Sequence, residues 1–196
     1  SWHIISLNVE CAVQPGGCSP TGAWFARETQ WLAADLAANH ATCTLAYWHQ
    51  PTFTAGNATP PGVTNASPEG AAAVAWWQLL YRHRADLVLN GHDHIYARYA
   101  PTDPTGKADP HRGIREFIVG TGGESLDSIV PNNNTPNLEA STANYYGVMK
   151  LTLNPAGYAW DFESALKNPA AAASVPASYS DTGSANCHGG GLNLDR

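Results

Sequence analysis

Apolar positions in this chain follow two rhythms, and the switch between them marks the elements. Residues 2–8 are a short β-rich run that predicts a strand. Ser19-Pro20 reads as a helix cap followed by proline at the first helical position, and the helix predicted from it runs to about Asn39. Phe25, Leu32 and Leu36 line one face of that helix, with Trp24 and Trp31 beside them as core or groove packing. Residues 42–49 predict a second strand that proline stops at His49-Gln50-Pro51. Ser67-Pro68-Glu69 opens a second helix with the same cap logic. Trp76, Trp77, Leu79 and Leu80 form its apolar side, and it ends near His83-Arg84, where cations suit the helix dipole. Leu87-Val88-Leu89 is then a buried strand running into Asn90-Gly91. The order β-α-β-α-β, with helical connections of this length, predicts parallel strands joined by crossovers.

Beyond Tyr96 the pattern changes. Residues 101–113 read as a polar loop, 114–119 as a strand ending in Gly120-Thr121-Gly122-Gly123, and 125–144 as an Asn/Pro-rich excursion. Residues 146–154 and 158–163 alternate around Pro155-Ala156-Gly157, which predicts a β-hairpin. Residues 168–196 are rich in Ala, Ser and Gly and are expected to be loose except at Cys187. Residues 52–65 form a Gly/Pro/Thr/Asn-rich loop long enough to act as a lid or rim.

At 196 residues the chain can bury one good core. No apolar run has the length of a membrane span or the pattern of a signal peptide. Charged residues make up only 13% of the chain, so Asn, Thr, Ser, Gln and backbone must solvate much of the surface. The formal charge of −6 argues against nucleic acid or an anionic membrane as the main partner. An acidic protein that handles phosphate needs local positive charge, which bound metal can supply.

There are four cysteines, Cys11, Cys18, Cys43 and Cys187, and none forms C-x-x-C, which argues against a zinc ribbon. Cys11 and Cys18 bracket a turn-rich loop that would close easily as a disulfide. Cys43 and Cys187 would then pair over a long separation and tie the tail to the core. This even number, together with few lysines, points to a secreted, oxidised protein; four buried reduced thiols are the alternative.

The chemistry concentrates in Asn90-Gly91-His92-Asp93-His94. In an extended segment positions i and i+2 point the same way, so His92 and His94 leave a core strand side by side. Neutral imidazole is the commonest transition-metal ligand, and open α/β sheets place their chemistry at strand carboxyl ends. The short H-x-H motif alone is weak, and a solvated loop with two unrelated histidines would carry it too. His49 ends a strand in the same way, although a lone histidine there is most often simply hydrogen-bonded. Together the three suit a zinc or iron site with an open position. Asp93 should point away from its histidine neighbours. Asn90 is a candidate pocket residue, with Asn57 and Gln50 as candidate rim contacts for substrate.

Tyr47-Trp48-His49-Gln50-Pro51, followed by Val88-Leu89-Asn90-Gly91-His92-Asp93-His94-Ile95-Tyr96, resembles the calcineurin-like metallophosphoesterase superfamily, in particular secreted bacterial enzymes related to purple acid phosphatases. Residues 114–123 and the later hairpin extend the likeness over about residues 2–165. The resemblance implies an α/β fold that is part of a four-layer α/β/β/α sandwich. Residues 1–165 would form the C-terminal half of the catalytic domain, and residues 166–196 a tail tethered at Cys187. It also implies a dinuclear site of Fe, Zn or Mn, with His49 and His92 on one ion and His94 on its neighbour. Such a pair of ions would clamp a phosphate ester and provide a bridging hydroxide to attack phosphorus. The superfamily's earlier motifs, Asp-x-His, Gly-Asp and Gly-Asn-His, do not occur before residue 49, so an N-terminal half, cleaved or separate, would have to supply those ligands. Tyr96-Ala97-Arg98 also departs from the superfamily, which often has an acidic residue before the arginine. Two other functions stay open. One is a non-catalytic secreted fragment with a partial metal site. The other is a mononuclear zinc hydrolase using His49, His92 and His94.

Overall fold

The computed structural model describes residues 1–56, 67–130 and 137–189. In chain order it contains β1 (Trp2–Ser6), α1 (Ala23–Ala38), β2 (Cys43–Tyr47), α2 (Pro68–Arg82), β3 (Leu87–Asn90), β4 (Tyr96–Tyr99), β5 (Arg115–Val119), β6 (Leu138–Thr142), β7 (Tyr145–Asn154), β8 (Gly157–Lys167) and β9 (Ser180–Asn186). The first sheet has the order β1-β2-β3-β5-β4-β6, and the second is β7-β8-β9. As the sequence predicts, β1, β2 and β3 pair in parallel. β5, which lies beyond the change of pattern, also joins β3 in parallel. β4 lies antiparallel between β5 and β6. The second sheet is antiparallel throughout.

Alternation along the strands divides the core in two. Ile5, Ala46 and Val88 face the helices and pack with Phe25, Leu32, Leu36, Trp76, Trp77 and Leu80. Their strand neighbours Leu45 and Leu87 join Tyr96 and Phe117 on the opposite face, against Tyr158, Trp160 and Phe162 of β8. The result is three layers, helices on a mostly parallel sheet on an antiparallel sheet, matching part of the expected sandwich. Polar clamps reinforce the sheet-to-sheet contact. Arg98 donates from Nε to Asp181 (2.7 Å) and also pairs with Glu139, while its guanidinium lies 4.9 Å over the Trp160 ring. The Tyr96 hydroxyl donates to Asp181 (2.6 Å). The arginine of Tyr96-Ala97-Arg98 therefore works between the sheets.

Several sequence expectations need correction. The helix predicted from Ser19-Pro20 starts at Ala23 with Gly22 as its cap and no side-chain cap bond. The Ser19 hydroxyl instead bonds Thr21 (3.0 Å) in a tight turn, and the Gly22 N–H donates to the Ser19 carbonyl (2.8 Å). Trp31 is half exposed, not core. Two strands escape the pattern: β4 is only four residues long, and β6 lies inside the stretch read as an excursion. Residues 180–186 of the tail are not loose, because β9 pairs with β8 from Gly157↔Asn186 to Glu163↔Ser180. Both expected disulfides are present, Cys11–Cys18 and Cys43–Cys187. No helix among the described residues is long and apolar enough to cross a membrane.

The second cap is as expected: Ser67 Oγ accepts from the Gly70 N–H (3.1 Å), with Pro68 in the first turn. Ser67→Ala should therefore cost about 1 kcal/mol of stability, read as a shifted urea midpoint at unchanged slope.

Candidate metal centre

β2 and β3 are neighbours, and their carboxyl ends bring the two histidine motifs together. The His49 carbonyl accepts both the Gly91 N–H (3.0 Å) and the His92 N–H (3.1 Å). From inside, Asn90 Nδ2 donates to the carbonyls of Trp48 (3.0 Å) and Gln50 (3.4 Å). This backbone clasp sets the side chains: His49 Nε2 and His92 Nδ1 lie 3.2 Å apart, with the ring planes crossed at 84°.

His94 is held separately. Its backbone N–H donates to Asp127 (2.8 Å), and its Nδ1 lies 2.7 Å from the Ser125 carbonyl. An Nδ1–H donated to a carbonyl leaves Nε2 as the free lone pair, the usual arrangement behind a metal-binding imidazole. His49 and His92 thus form a close pair with His94 beside them. Among the described residues, the one set of three metal-type donors within 4.8 Å of one another is Cys43, Asp86 and Cys187. That set lies toward the opposite end of the sheet, and its sulfurs are joined to each other, so it offers no thiolate.

The electrostatics favour a neutral imidazole at His49. Partial burial lowers the His49 pKa, and the neighbouring His92 lowers it further, while Glu10 and Asp93 oppose the shift. Asp93 is buried and turned away from the rings, as expected. Its carboxylate accepts from the Thr54 hydroxyl, and burial raises its pKa. The turn also needs space behind it: a Cβ on Gly120, after β5, would sit 2.1 Å from the Asp93 carbonyl and 2.2 Å from that of Gly91. Gly91 itself faces open space.

Asn90 and Gln50 are both buried. Asn90 ties the loop after β2, and Gln50 Nε2 donates to Glu10 (2.8 Å). Asn57 lies outside the described residues. The sequence reading missed Glu10, Ser125, Asp127 and Glu116. Glu116, fully buried on β5, accepts from the N–H groups of Thr52 (3.2 Å) and Phe53 (3.5 Å) and so supports the segment after His49. A carboxylate in the middle of an apolar strand is a readable signal for such a role. The others carry no local pattern.

A mostly parallel sheet with helices on one face and a second sheet on the other is consistent with part of a metallophosphoesterase-like fold. Solved structures agree. A purple acid phosphatase from yellow lupin (Lupinus luteus) seeds matches with a TM-score of 0.65 at 16% identity, over 91% of this chain and 30% of its own. GAP50, described as the anchor in the inner membrane complex of Plasmodium, matches with a TM-score of 0.59 at 13% identity, over 92% and 48%. PhoD matches with a TM-score of 0.53 at 16% identity, over 80% and 31%. The chain thus spans half or less of each of these proteins. No family model and no curated protein matches the sequence.

Proposed function

We propose that this chain is the C-terminal, histidine-bearing part of a secreted, metal-dependent phosphoric ester hydrolase acting on phosphomonoesters or diesters. The observation that carries this reading is the 3.2 Å separation of His49 Nε2 and His92 Nδ1. Two nitrogens on one ion at zinc-type bond lengths lie roughly 2.9–3.4 Å apart, so the spacing of the pair suits a shared ion. His94, with Nε2 free, would hold a second ion next to it. Fe, Zn or Mn would fit such donors, and two such ions supply Lewis acidity toward a phosphoryl group. The chain's own contribution is positional. Asn90 and the His49 carbonyl lock the two strand ends, Ser125 fixes the His94 tautomer, and Asp93 ties the turn to the Thr54 hydroxyl. An N-terminal half of the same domain, cleaved or separate, would supply the bridging carboxylate, the asparagine and the further histidine. Formation of both disulfides supports export to an oxidising compartment.

Metal analysis, mass spectrometry and phosphate release from p-nitrophenyl phosphate on the native sample test this. The expected result is a second polypeptide segment, about two metal ions per complex, and turnover that His92→Ala abolishes. A native sample that retains no metal and gives no turnover with added Mn, Fe or Zn would overturn it. That outcome would favour a non-catalytic role. The likeness to GAP50 and the unpaired edge of β1, with Ile4 and Tyr47 exposed beside it, support this second reading.

A further inference from the structure

Beside the segment that braces His94 lies a cavity of about 540 Å³ that none of the three histidines lines. This is within the size range of small-molecule sites. It lies at the same end of the first sheet as the histidines. β4 begins two residues after His94, and Thr142 and Ser141, in the cavity wall, pair with its Tyr96 and Ala97. The cavity and the candidate metal centre share Asp127. That residue lines the cavity and also grips the His94 backbone, accepting from its N–H (2.8 Å) and donating to its carbonyl (3.2 Å).

The polar groups of the wall are not spent within the chain. Ser141, Asn144 and Asn168 are all partly exposed. The Ser141 hydroxyl and the Asn144 side-chain amide make no hydrogen bond among the described residues. Asn168 gives its Oδ1 to the Ala170 N–H (3.0 Å), which leaves its NH2 group. Backbone contacts fix the frame on which these groups stand. The Asn168 N–H donates to the Asn144 carbonyl (2.7 Å), and the Asn144 N–H donates to Thr142 Oγ1 (3.2 Å).

The chemistry of the wall narrows the ligand. It holds no lysine, arginine or histidine, and Asp127 is a carboxylate, so an anionic group would meet like charge and no counter-charge. It holds no aromatic ring on which a nucleobase could stack. Leu126 and Ile129 are interrupted by hydrogen-bonding groups, which an acyl chain would leave unanswered. Donors and acceptors side by side suit hydroxyl groups, each of which is both.

We infer that this cavity binds an uncharged polyhydroxylated group, a sugar or polyol. A second step rests on the phosphoesterase reading of the histidines: the group is the alcohol portion of the ester, lodged beside His94 while the phosphoryl group lies at the metal centre.

Titration of the native, isotope-labelled sample with glucose, read by NMR at the side-chain NH2 signals of Asn144 and Asn168, tests the first step. Saturable shifts of both signals are expected with glucose and none with hexanoate. Asn144→Ala and Ser141→Ala should each weaken glucose about fivefold, read at Asn168, the loss of one hydrogen bond to a neutral group. Kinetics on the metal-loaded complex test the second step. Both variants should lower the preference in kcat/KM for glucose monophosphate over p-nitrophenyl phosphate by about the same factor. An unchanged preference overturns that step. Glucose shifts in a sample that hydrolyses neither ester support the cavity's assignment and overturn the phosphoesterase reading, so the two failures are distinct. The assignment itself is overturned if glucose shifts neither amide, if hexanoate shifts them as much, or if neither variant weakens glucose.

Discussion

Glu116→Gln is expected to stabilise the chain by about 3 kcal/mol at pH 7 and to leave it unchanged below pH 4. Glu116 is fully buried, and desolvation pushes its pKa from 4.5 up to about 8, against the two backbone N–H groups that favour its charged form. The sign follows from the direction of this shift. Below pH 4.5 the side chain is protonated whether the chain is folded or not, and it contributes no pH dependence. Between pH 4.5 and about 8 the unfolded chain releases the proton while the folded chain keeps it. Folding therefore loses about 1.4 kcal/mol per pH unit across that window. Above it both states are ionised and the penalty is constant. Glutamine keeps the acceptor oxygen for Thr52 and Phe53 and has no proton to lose. Urea unfolding at pH 4, 5.5, 7 and 8.5 should show the two proteins diverging as pH rises. Asp93, also raised by burial and close enough to Glu116 to raise it further, leaves the variant with a residual slope of the same sign. Parallel curves for the two proteins would show that Glu116 ionises normally. Glu116→Ala is a different experiment, since it removes the acceptor and opens a cavity behind the segment that follows His49.

The contrast between Glu116 and His92 shows what the sequence could reveal. The parallel half of the first sheet was readable because its signals are local: apolar triplets, a Ser-Pro cap and glycine at a strand end. The places of His49 and His92 were readable because each follows the end of a core strand; the i, i+2 reading of direction was not, because residues 92–95 bend and His94 takes partners of its own. What the sequence hid depends on distant partners. β4 and β6 are short, polar-flanked segments whose pairing is decided by β5 and by each other. β9 has the composition of a loose tail, yet its small residues let β8 pair closely. A Cβ on Gly183 would sit 2.2 Å from the Trp160 ring. Asn90 and Gln50 looked like site residues because polar side chains near a turn usually face solvent. Here both are buried, and each donates to a partner that holds the site in place. Ser19 failed as a cap because Gly16, at φ 91°, and Gly22 pack the disulfide loop against the helix start. A Cβ on Gly22 would lie 2.9 Å from the Gly16 carbonyl.

Replacing Cys43 and Cys187 together by alanine should cost about 5 kcal/mol, roughly twice the cost of removing Cys11 and Cys18, if loop entropy dominates. The first bridge closes a separation of 144 residues and the second one of only 7. An unfolded chain freed from the longer loop gains more conformations, so its folding has further to fall. A loss of that size approaches the whole stability of a small domain. The structural consequence should also be local. Among the described residues β9 is an edge strand with alternately exposed side chains, paired with β8 alone and anchored at its far end by Cys187. Without the bridge, that anchor reduces to the Cys187 N–H donating to the Ala156 carbonyl (3.0 Å), His188 on Asp86, and Arg84 on the His188 carbonyl. Amide exchange should therefore accelerate across residues 180–186 before β3 or β5 opens, while the Cys11–Cys18 variant leaves that segment protected. Equal losses for the two variants, or unchanged protection of β9, would place the stabilisation in native-state contacts instead of the unfolded chain.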